Sequence, residues 1–279
     1  MREVATGYGL VEAPVWDAAR GLYFSDVHNG GVYLLDAAGA VSTVIPKRKG
    51  VGGMALHAGG GLVVGGRNIA WVKDGETRVL LSPDTVPGII GFNDFTTDKA
   101  GRIYVGSLAF KVFSEEPKPG FLHVIDLDGS MRTISEGVML TNGLGFSPDG
   151  RRLYHSDARG GHVRVYDVKP DGSVGPWQVF AELGEGHVPD GLKVAADGSV
   201  WIADARGGRV AVFEPDGMHR EDVAVPQPMV TSLCFAGPDL RDLYVVTGSD
   251  GSGREHGGSV FRTRAPVAGL PLAPARVTA

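Results

Sequence analysis

The sequence lacks the features of a disulfide scaffold, a membrane protein or a nucleic-acid-binding protein. Its 279 residues include one cysteine, Cys234, which can form no internal disulfide and lies in the apolar run TSLCFA, as a small core residue does. No apolar run approaches the length of a membrane span or a signal peptide. Lysine and arginine number 27 against 32 aspartate and glutamate, so no basic stripe is available to neutralise phosphates. We therefore expect a cytoplasmic protein that binds neither membrane nor nucleic acid.

Helical periodicity is also missing. No segment keeps an apolar period of about 3.6 residues, so we predict no substantial helix. The chain instead has 43 glycines and many short runs of β-branched and aromatic residues bounded by Gly, Asp and Pro. This pattern predicts an all-β protein. We expect one domain over residues 1–279, because all-β folds of this length are commonly undivided.

A unit of four short strands recurs six times. The first strands are EAPVW, GGMAL, NDFTT, NGLGF, DGLKV and TSLCF, which begin at positions 12, 52, 93, 142, 190 and 231. A turn, a second strand, a Gly-rich loop, a third strand and a weaker fourth strand follow each of them. Such repeats predict a six-bladed β-propeller with four-stranded antiparallel blades around a central channel. We expect the N-terminal REVATG to pair with SVFRTR near the C-terminus and close the ring.

The first residue of each unit should face the axis of this propeller. The six equivalent residues are Glu12, Gly52, Asn93, Asn142, Asp190 and Thr231. Four of them offer carboxylate or amide oxygens, the ligands of hard cations, and a divalent ion would relieve the repulsion between two buried carboxylates. The absence of His and Cys disfavours a typical structural zinc site. Taken singly, Asn142-Gly143 and Asp190-Gly191 are also common turn pairs; their shared register with Glu12 favours a metal site.

These strands also carry a family resemblance. EAPVW is similar to the Glu-Gly/Ala-Pro-x-Trp motif of the SMP-30/gluconolactonase/luciferin-regenerating-enzyme-like propellers, and FNDFTTDKAGRIYVGS resembles their Asn-Asp…Asp-x-x-Gly-Arg strand pair. TNGLGFSPDGRRLYHSD and PDGLKVAADGSVWIA resemble two further blocks. The resemblance covers nearly the whole chain and implies a metal-dependent lactonase with Glu12, Asn142 and Asp190 as metal ligands. It also implies that Asn93 faces the substrate or a second coordination position.

The identity of the ion does not follow from the resemblance. Calcium is the ion we expect, and zinc, magnesium, manganese and iron(II), which are also associated with the family, remain alternatives. The sequence departs from sugar-lactonase members, which carry an arginine two residues before the position of Asn93. Gly91 stands there instead and supplies no donors. With Phe92 offering apolar surface, we expect a preference for aliphatic or aromatic lactones, unless Arg67 replaces the missing arginine.

Loops between the second and third strands should surround the mouth of the site. The longest, residues 107–120, is predicted to be a lid with an apolar underside formed by Leu108, Phe110, Val112 and Phe113; the alternative is an ordinary surface insertion. His187, three residues before Asp190, is a candidate polar wall residue. Other repeated or mid-strand polar residues are predicted to be structural: Asp26, Asp157, Asp204 and His155.

These residues suggest a mechanism for opening a lactone, a small-molecule substrate. The metal would bind the carbonyl oxygen and stabilise the oxyanion, with Asp190 as a ligand and as the general base for water. Because a metal-bound carboxylate is a weak base, a metal-bound hydroxide is an alternative nucleophile. Two other classes stay open: an organophosphate or ester hydrolase using the same ion, and a non-catalytic propeller whose loops bind a partner. The sequence predicts no particular oligomeric state.

Overall fold

The computed structural model describes residues 1–112 and 114–278, and its strands form six four-stranded antiparallel sheets. This arrangement confirms the predicted six-bladed propeller. Among the described residues the only helical element is a short 3-10 turn, Pro83–Thr85, which the Oγ of Ser82 caps by accepting the Asp84 N–H. No helix in the described part of the chain is long and apolar enough to cross a membrane.

Strands are numbered in chain order, and β1 (Arg2–Tyr8) precedes the first complete blade. Blade 1 comprises β2 (Val11–Asp17), β3 (Gly21–Asp26), β4 (Val32–Leu35) and β5 (Val41–Ile45). Blade 2 comprises β6 (Met54–Leu56), β7 (Leu62–Val64), β8 (Ile69–Lys73) and β9 (Glu76–Leu81). Blade 3 comprises β10 (Gly91–Thr97), β11 (Ile103–Leu108), β12 (Gly120–Ile125) and β13 (Met131–Val138).

The other three blades follow the same order. Blade 4 comprises β14 (Thr141–Phe146), β15 (Arg152–Asp157), β16 (His162–Asp167) and β17 (Gln178–Glu182). Blade 5 comprises β18 (Pro189–Val194), β19 (Val200–Asp204), β20 (Arg209–Phe213) and β21 (His219–Ala224). Blade 6 comprises β22 (Val230–Ala236), β23 (Asp242–Thr247), β24 (Gly258–Arg264) and the N-terminal strand β1.

The two ends of the chain meet in blade 6. Strand β1 pairs antiparallel with β24, with Arg2 opposite Arg262 and Tyr8 opposite Gly258. The predicted pairing of REVATG with SVFRTR is therefore confirmed. Because the pairing joins distant parts of the chain in one sheet, the ring cannot open without losing a ladder of backbone hydrogen bonds.

Apolar side chains fill the space between neighbouring sheets. Between blades 6 and 1, for example, Val11, Phe24 and Val246 pack with Cys234, which is 4% exposed. Burial raises the pKa of the Cys234 thiol to about 11, so the group stays protonated at neutral pH. The prediction that this cysteine belongs to the core is confirmed.

The chain after β24 runs back across the face of the ring where the inner strands end. Ala275 pairs with His57 in blade 2, and Gly269 pairs with Ala195 in blade 5. The Thr97 hydroxyl donates to the carbonyl of Ala273 at 2.5 Å. This C-terminal segment, residues 265–278, therefore ties several blades together on one face, which we call the exit face. The opposite face, where the inner strands begin, is the entrance face.

Candidate metal centre

The six inner strands close a ring around the axis, because each of β2, β6, β10, β14, β18 and β22 contacts the inner strand of both neighbouring blades. Five of them share an irregularity: their pairing with the second strand shifts register at the position predicted to face the axis. In blade 1 the shift falls between Glu12 and Val15, and in blade 5 between Pro189 and Leu192. Such shifts leave residues unpaired and re-aim their side chains. Asn93, Asn142, Asp190 and Thr231 therefore have no pairing partner on the second strand, and Glu12 is the last paired residue before the shift in blade 1.

The backbone is strained next to the ring residue of blade 1, Glu12. Ala13, directly after Glu12, has φ of +52°, in the left-handed region that costs a non-glycine residue about 1–2 kcal/mol. Pro14 follows and would ordinarily favour an extended conformation at Ala13. The Glu-Ala-Pro motif therefore makes a sharp local turn, and only a small residue is tolerated between the carboxylate and the proline.

Three buried carboxyl groups meet near the axis: Glu12 is 9% exposed, and Asp94 and Asp190 are each 7% exposed. Burial, with added repulsion from Asp190 and Asp94, raises the pKa of Glu12 well above its usual range. Burial and repulsion from Asp94 do the same to the pKa of Asp190. Burial raises the pKa of Asp94 to about 6, against a smaller lowering effect of the Lys193 charge. Such a cluster of buried acids is stable as anions only beside a cation.

The amide groups of the ring are ordered by hydrogen bonds. Asn93 Nδ2 donates to Asn142 Oδ1 and to the carbonyl of Thr141, both at 2.7 Å. Gly52 lies against the other side of Asn93, where an added Cβ would approach Asn93 Oδ1 to 2.1 Å, so glycine alone fits. Thr231 is fully buried, and its hydroxyl donates to the carbonyl of Val11 at 2.5 Å. Gly52 and Thr231 therefore pack the ring, and the acidic and amide residues supply its chemistry.

This donor set fits a hard divalent cation. Glu12 and Asp190 supply carboxylates, and Asn142 Oδ1 accepts one hydrogen bond and keeps a second lone pair. Within residues 1–112 and 114–278, no group of three or more His, Cys, Asp or Glu side chains is arranged to hold a metal ion. The ligand set predicted from the sequence, Glu12, Asn142 and Asp190, includes an amide oxygen, a donor suited to calcium or magnesium and less to zinc.

Asp94 is not among the residues predicted from the sequence to form the site. It occupies the slot after the ring residue, where the other units have small residues: Ala13, Gly53, Gly143, Gly191 and Ser232. An aspartate in a slot otherwise reserved for small side chains was the signal. In the structure its Oδ1 accepts the N–H of Phe95 at 2.7 Å, and its charge acts on Glu12 and Asp190.

Two predicted substrate contacts need correction. Phe92 is 1% exposed and packs in the core of blades 2 and 3 with Ile103 and Val105, so it offers no surface to a ligand. Phe110 is also 1% exposed, and it packs with Leu140 and Ala158 of blade 4. Burial in apolar surroundings removes both rings from water, which is the more stable arrangement for them.

The long loop is anchored by the same contacts. Leu108 and Val112 pack against the cluster of Phe110, Leu140 and Ala158. The apolar side of this loop therefore lies on blade 4, and Phe113, predicted as part of that side, lies outside the described residues. Leu108, Phe110 and Val112 therefore contact blade 4. Whether the loop acts as a lid over the site stays a prediction.

Arg67 lies beside Gly91. A Cβ at Gly91 would be 3.4 Å from Arg67 Cα and 3.1 Å from the Gly66 carbonyl oxygen, which accepts the N–H of Phe92 at 2.8 Å. Arg67 is exposed, and among the described residues no hydrogen bond or ion pair holds its guanidinium group. The backbone of Arg67 is therefore adjacent to Gly91, the position where the family resemblance leads one to expect an arginine.

His187 is held on blade 5 by a buried carboxylate. Its Nδ1 is 2.6 Å from Oδ2 of Asp204, which also accepts from Arg209 Nε at 3.0 Å. The His187 side chain keeps 34% of its surface exposed, so its second ring nitrogen remains a candidate for contact with a ligand. Whether it contacts the substrate stays a prediction.

The four polar residues predicted to be structural all make hydrogen bonds within the protein. Asp26, Asp157 and Asp204 accept backbone N–H groups from the segments that precede their blades, at Gly9, Leu140 and Val188 respectively. His155 is fully buried with Nε2 at 2.6 Å from the Thr141 hydroxyl, and burial lowers its pKa to about 3.

Comparison with known proteins agrees with this architecture. A family model described as SMP-30/Gluconolactonase/LRE-like region matches residues 10–249. A pentonolactonase from Haloferax volcanii is 32% identical, over 97% of this chain and 96% of the relative. A 6-deoxy-6-sulfogluconolactonase from Pseudomonas putida is 32% identical over 93% and 92%, and chicken (Gallus gallus) regucalcin is 30% identical over 96% and 95%.

Solved structures support the same fold. A luciferin-regenerating enzyme superposes with a TM-score of 0.88 at 22% identity, covering 98% of this chain and 97% of that chain. The family model spans most of the chain, and relatives of at least 30% identity cover nearly all of it. The chain therefore belongs to the SMP-30/gluconolactonase/luciferin-regenerating-enzyme-like family.

Proposed function

We propose that this protein is a metal-dependent hydrolase that opens the ring of a small lactone. The observation that carries the proposal is the pair of buried carboxylates, Glu12 and Asp190, which are close enough for their charges to repel and occupy ring positions equivalent to that of Asn142. Two relatives at 32% identity are named lactonases, which supports the reaction class. Calcium suits the all-oxygen donor set, with Zn²⁺, Mg²⁺, Mn²⁺ and Fe²⁺ as the alternatives to test.

Glu12, Asn142 and Asp190 would hold the cation. When bound, the ion would supply Lewis-acid stabilisation of negative charge on the carbonyl oxygen of the lactone. Asp190 would take a proton from the attacking water as the new carbon–oxygen bond forms. The ring carbon–oxygen bond then breaks, and that proton passes to the departing alkoxide oxygen, which gives an open hydroxy acid. Burial and repulsion from Asp94 raise the pKa of Asp190 in the metal-free site, and a bound cation would lower it again.

The substrate we propose is a polar, sugar-type lactone. The sequence-based preference for apolar lactones relied on Gly91 in place of an arginine and on apolar surface from Phe92, Phe110 and Phe113. Of these aromatic residues, Phe92 and Phe110 are buried in blade contacts. Arg67 instead has its backbone beside Gly91 and an exposed side chain, whose guanidinium donors would bind hydroxyl or carbonyl oxygens of the substrate. Asn93 and His187 are the further polar groups proposed for the substrate side. The names of the two lactonase relatives, which refer to sugar-derived lactones, support this class.

The test uses purified protein stripped with a chelator and reloaded with each candidate ion in turn. Ring opening is followed by acid release for xylonolactone, gluconolactone, an aliphatic lactone and a phosphotriester. We expect turnover of the sugar lactones that disappears on chelation and returns with one divalent ion. Faster turnover of the phosphotriester, or turnover that survives chelation, would contradict the proposal.

Asp190→Asn separates the role of the site from folding. The change removes a charge and keeps the shape, so we expect ion binding to weaken and turnover to fall by about 10²–10⁴-fold, with an unchanged circular dichroism spectrum. Asp216→Asn makes the same chemical change in an exposed turn and should retain both properties. Full activity of Asp190→Asn would refute its role as ligand and as base.

A further inference from the structure

A large cavity lies at the exit-face end of the central channel, away from the ring residues. It has a volume of about 1220 Å³ and opens on the exit face, between the turns that follow the inner strands and the C-terminal segment. None of Glu12, Asn93, Asn142 or Asp190 lines it. The volume is ample for a small organic molecule, since ligand pockets typically measure about 300–1,000 Å³. The proposed lactonase site does not account for this space.

The six-fold repeat shows how the floor of the cavity is built. The third residue after each ring position is Val15, Ala55, Thr96, Gly145, Lys193 or Cys234, and all but Thr96 line the cavity. The next residue in each unit also lines it: Trp16, Leu56, Thr97, Phe146, Val194 and Phe235. Across these two levels of the channel, Lys193 is the one charged residue among small, apolar and aromatic side chains.

Lys193 has no hydrogen-bonded or ion-paired acceptor for its ammonium group within the described part of the chain. Its side chain is half-buried. Its charge lowers the pKa of Glu12 and Asp94 above it and of Cys234 beside it, which is consistent with a position between the ring and the cavity. A half-buried ammonium group without a partner is costly, so an anion in the cavity would be stabilised by it.

The rim of the cavity has the same sign of charge. The cavity is lined by five cationic and three acidic residues, although the chain as a whole has a net charge of −5: Lys99, Arg102, Arg151, Lys169 and Lys193 against Asp98, Asp149 and Asp167. One of the cations, Arg102, is neutralised by Asp98 at 2.6 Å. The remaining rim would attract anions, and that attraction weakens with salt.

An apolar wall completes the cavity. Residues 270–273 of the C-terminal segment form part of its lining, and Leu272 is 42% exposed there. The rings of Trp16 and Phe146, both partly exposed, lie at the ends of two inner strands beside the same space, and Phe235 in its lining is 6% exposed and packs in the core. An apolar body between these groups would bury surface that is now in water.

We propose that the exit-face cavity binds a small amphipathic anion, with its carboxylate paired to Lys193 and its apolar body between the aromatic ends of the inner strands and Leu272. This site is separate from the proposed lactonase site, and its test does not depend on turnover. The assignment is based on the complementarity between such a ligand and a cavity that combines apolar lining with a lysine that has no direct hydrogen-bonded partner.

The test measures binding of octanoate to the full chain by calorimetry, with octanamide as a neutral compound of the same length. We expect saturable binding of octanoate at one site per chain and binding of octanamide that is weaker by about tenfold or more, because a charge-assisted hydrogen bond is lost. Lys193→Met should bring the octanoate affinity down to that of octanamide, and Lys193→Arg should restore most of it.

Two leucines with the same exposure, one in the cavity and one outside it, allow a matched comparison that leaves the inner strands unchanged. Leu272→Glu adds a negative charge at the cavity and should weaken octanoate binding, whereas Leu127→Glu, at a leucine that is also 42% exposed but outside the cavity, should not. Equal binding of octanoate and octanamide, unchanged binding in Lys193→Met together with Leu272→Glu, or no saturable binding would overturn the proposal.

Discussion

Asn93 Nδ2 in blade 3 donates a hydrogen bond of 2.7 Å to Oδ1 of Asn142 in blade 4. The same nitrogen donates to the carbonyl oxygen of Thr141, also at 2.7 Å. Together the two bonds fix the orientation of the amide that is proposed to ligate the cation. Mutation of a partner that orients a ligand typically lowers metal affinity or activity by about 10–100-fold. Asn93 therefore has a positioning role in addition to the substrate-facing role predicted for it.

Asn93→Ala should weaken cation binding even though Asn93 is not one of the three proposed ligands. Without the two hydrogen bonds the Asn142 amide can turn, and we expect the calcium affinity measured by calorimetry to fall by about tenfold or more. Asn68→Ala removes an amide that accepts from Arg48 away from the axis and should leave the affinity unchanged. Wild-type affinity in Asn93→Ala would show that Asn142 needs no such support.

Asp94→Asn should stabilise the metal-free protein at neutral pH. Burial raises the pKa of Asp94 to about 6 from an ordinary 3.8, so ionisation of this group above pH 6 costs the folded state about 3 kcal/mol. Asparagine keeps the acceptor for the Phe95 N–H and removes the charge. Urea unfolding of the chelated protein measures the gain, and the exposed Asp216→Asn should show none. A metal-free variant no more stable than wild type would contradict this role of Asp94.

Cation binding should strengthen as pH rises. In the metal-free fold the raised pKa values of Glu12, Asp94 and Asp190 mean that the folded chain binds more protons than the unfolded chain, from the ordinary carboxyl range up to about pH 6 or above. Stability of the metal-free fold is therefore lost as pH rises through that window, and a cation must displace those protons. We expect the increase in Tm on adding calcium to grow between about pH 5 and about pH 7.

The comparison of loaded and metal-free protein isolates this effect. Burial lowers the pKa of His123 to about 4 and that of His155 to about 3, so both forms lose stability from these histidines as pH falls below about 6.5. That loss is common to the two forms and cancels in the difference between their Tm values. An increment in Tm that is independent of pH would mean that the ion does not bind these carboxylates.

Arg67→Ala should selectively impair polar substrates. The loss of a guanidinium that binds hydroxyl or carbonyl oxygens should lower kcat/KM for xylonolactone by about tenfold or more, mainly through KM, and affect an aliphatic lactone less. Arg78→Ala is the control, because its side chain is 60% exposed on the outer strand of blade 2. Equal losses for both lactones, or none, would show that Arg67 does not contact the polar part of the substrate.

Much of the architecture was predictable from the sequence because the residues that specify each strand and turn lie within the repeat unit itself. Each unit carries its own strand and turn signals, and six equivalent units place equivalent residues at equivalent depths in the channel. The six ring positions were predicted in this way, and the choice of Glu12, Asn142 and Asp190 as ligands came from the family resemblance and stays a prediction. The predicted pairing of β1 with β24 is confirmed. The burial of Phe92 was also predictable. Neighbouring residues along a strand point to opposite sides, and the next residue, Asn93, is the one predicted to face the axis.

Other features depended on irregular or long-range geometry. The register shifts of the inner strands have no distinctive sequence signature, so the turn of Asp94 toward Glu12 and Asp190 became visible only in the fold. The proximity of Arg67 to Gly91 arises where blade 2 meets blade 3, through the bridge between Gly66 and Phe92. Contacts between blades are set by packing of whole sheets, which no local pattern encodes.

The sequence by itself therefore determined the number of blades, the closure of the ring and the oxygen-rich residues at its entrance, because strand period and repeat spacing are properties of the chain. The tertiary structure alone decided which aromatic rings are buried, which third carboxylate joins the axis, and where Lys193 lies relative to the C-terminal segment. The exit-face cavity is the clearest case: residues 270–273 meet the ends of inner strands from far earlier in the chain. Their meeting depends on the closed ring, since only the folded propeller brings those ends to one face.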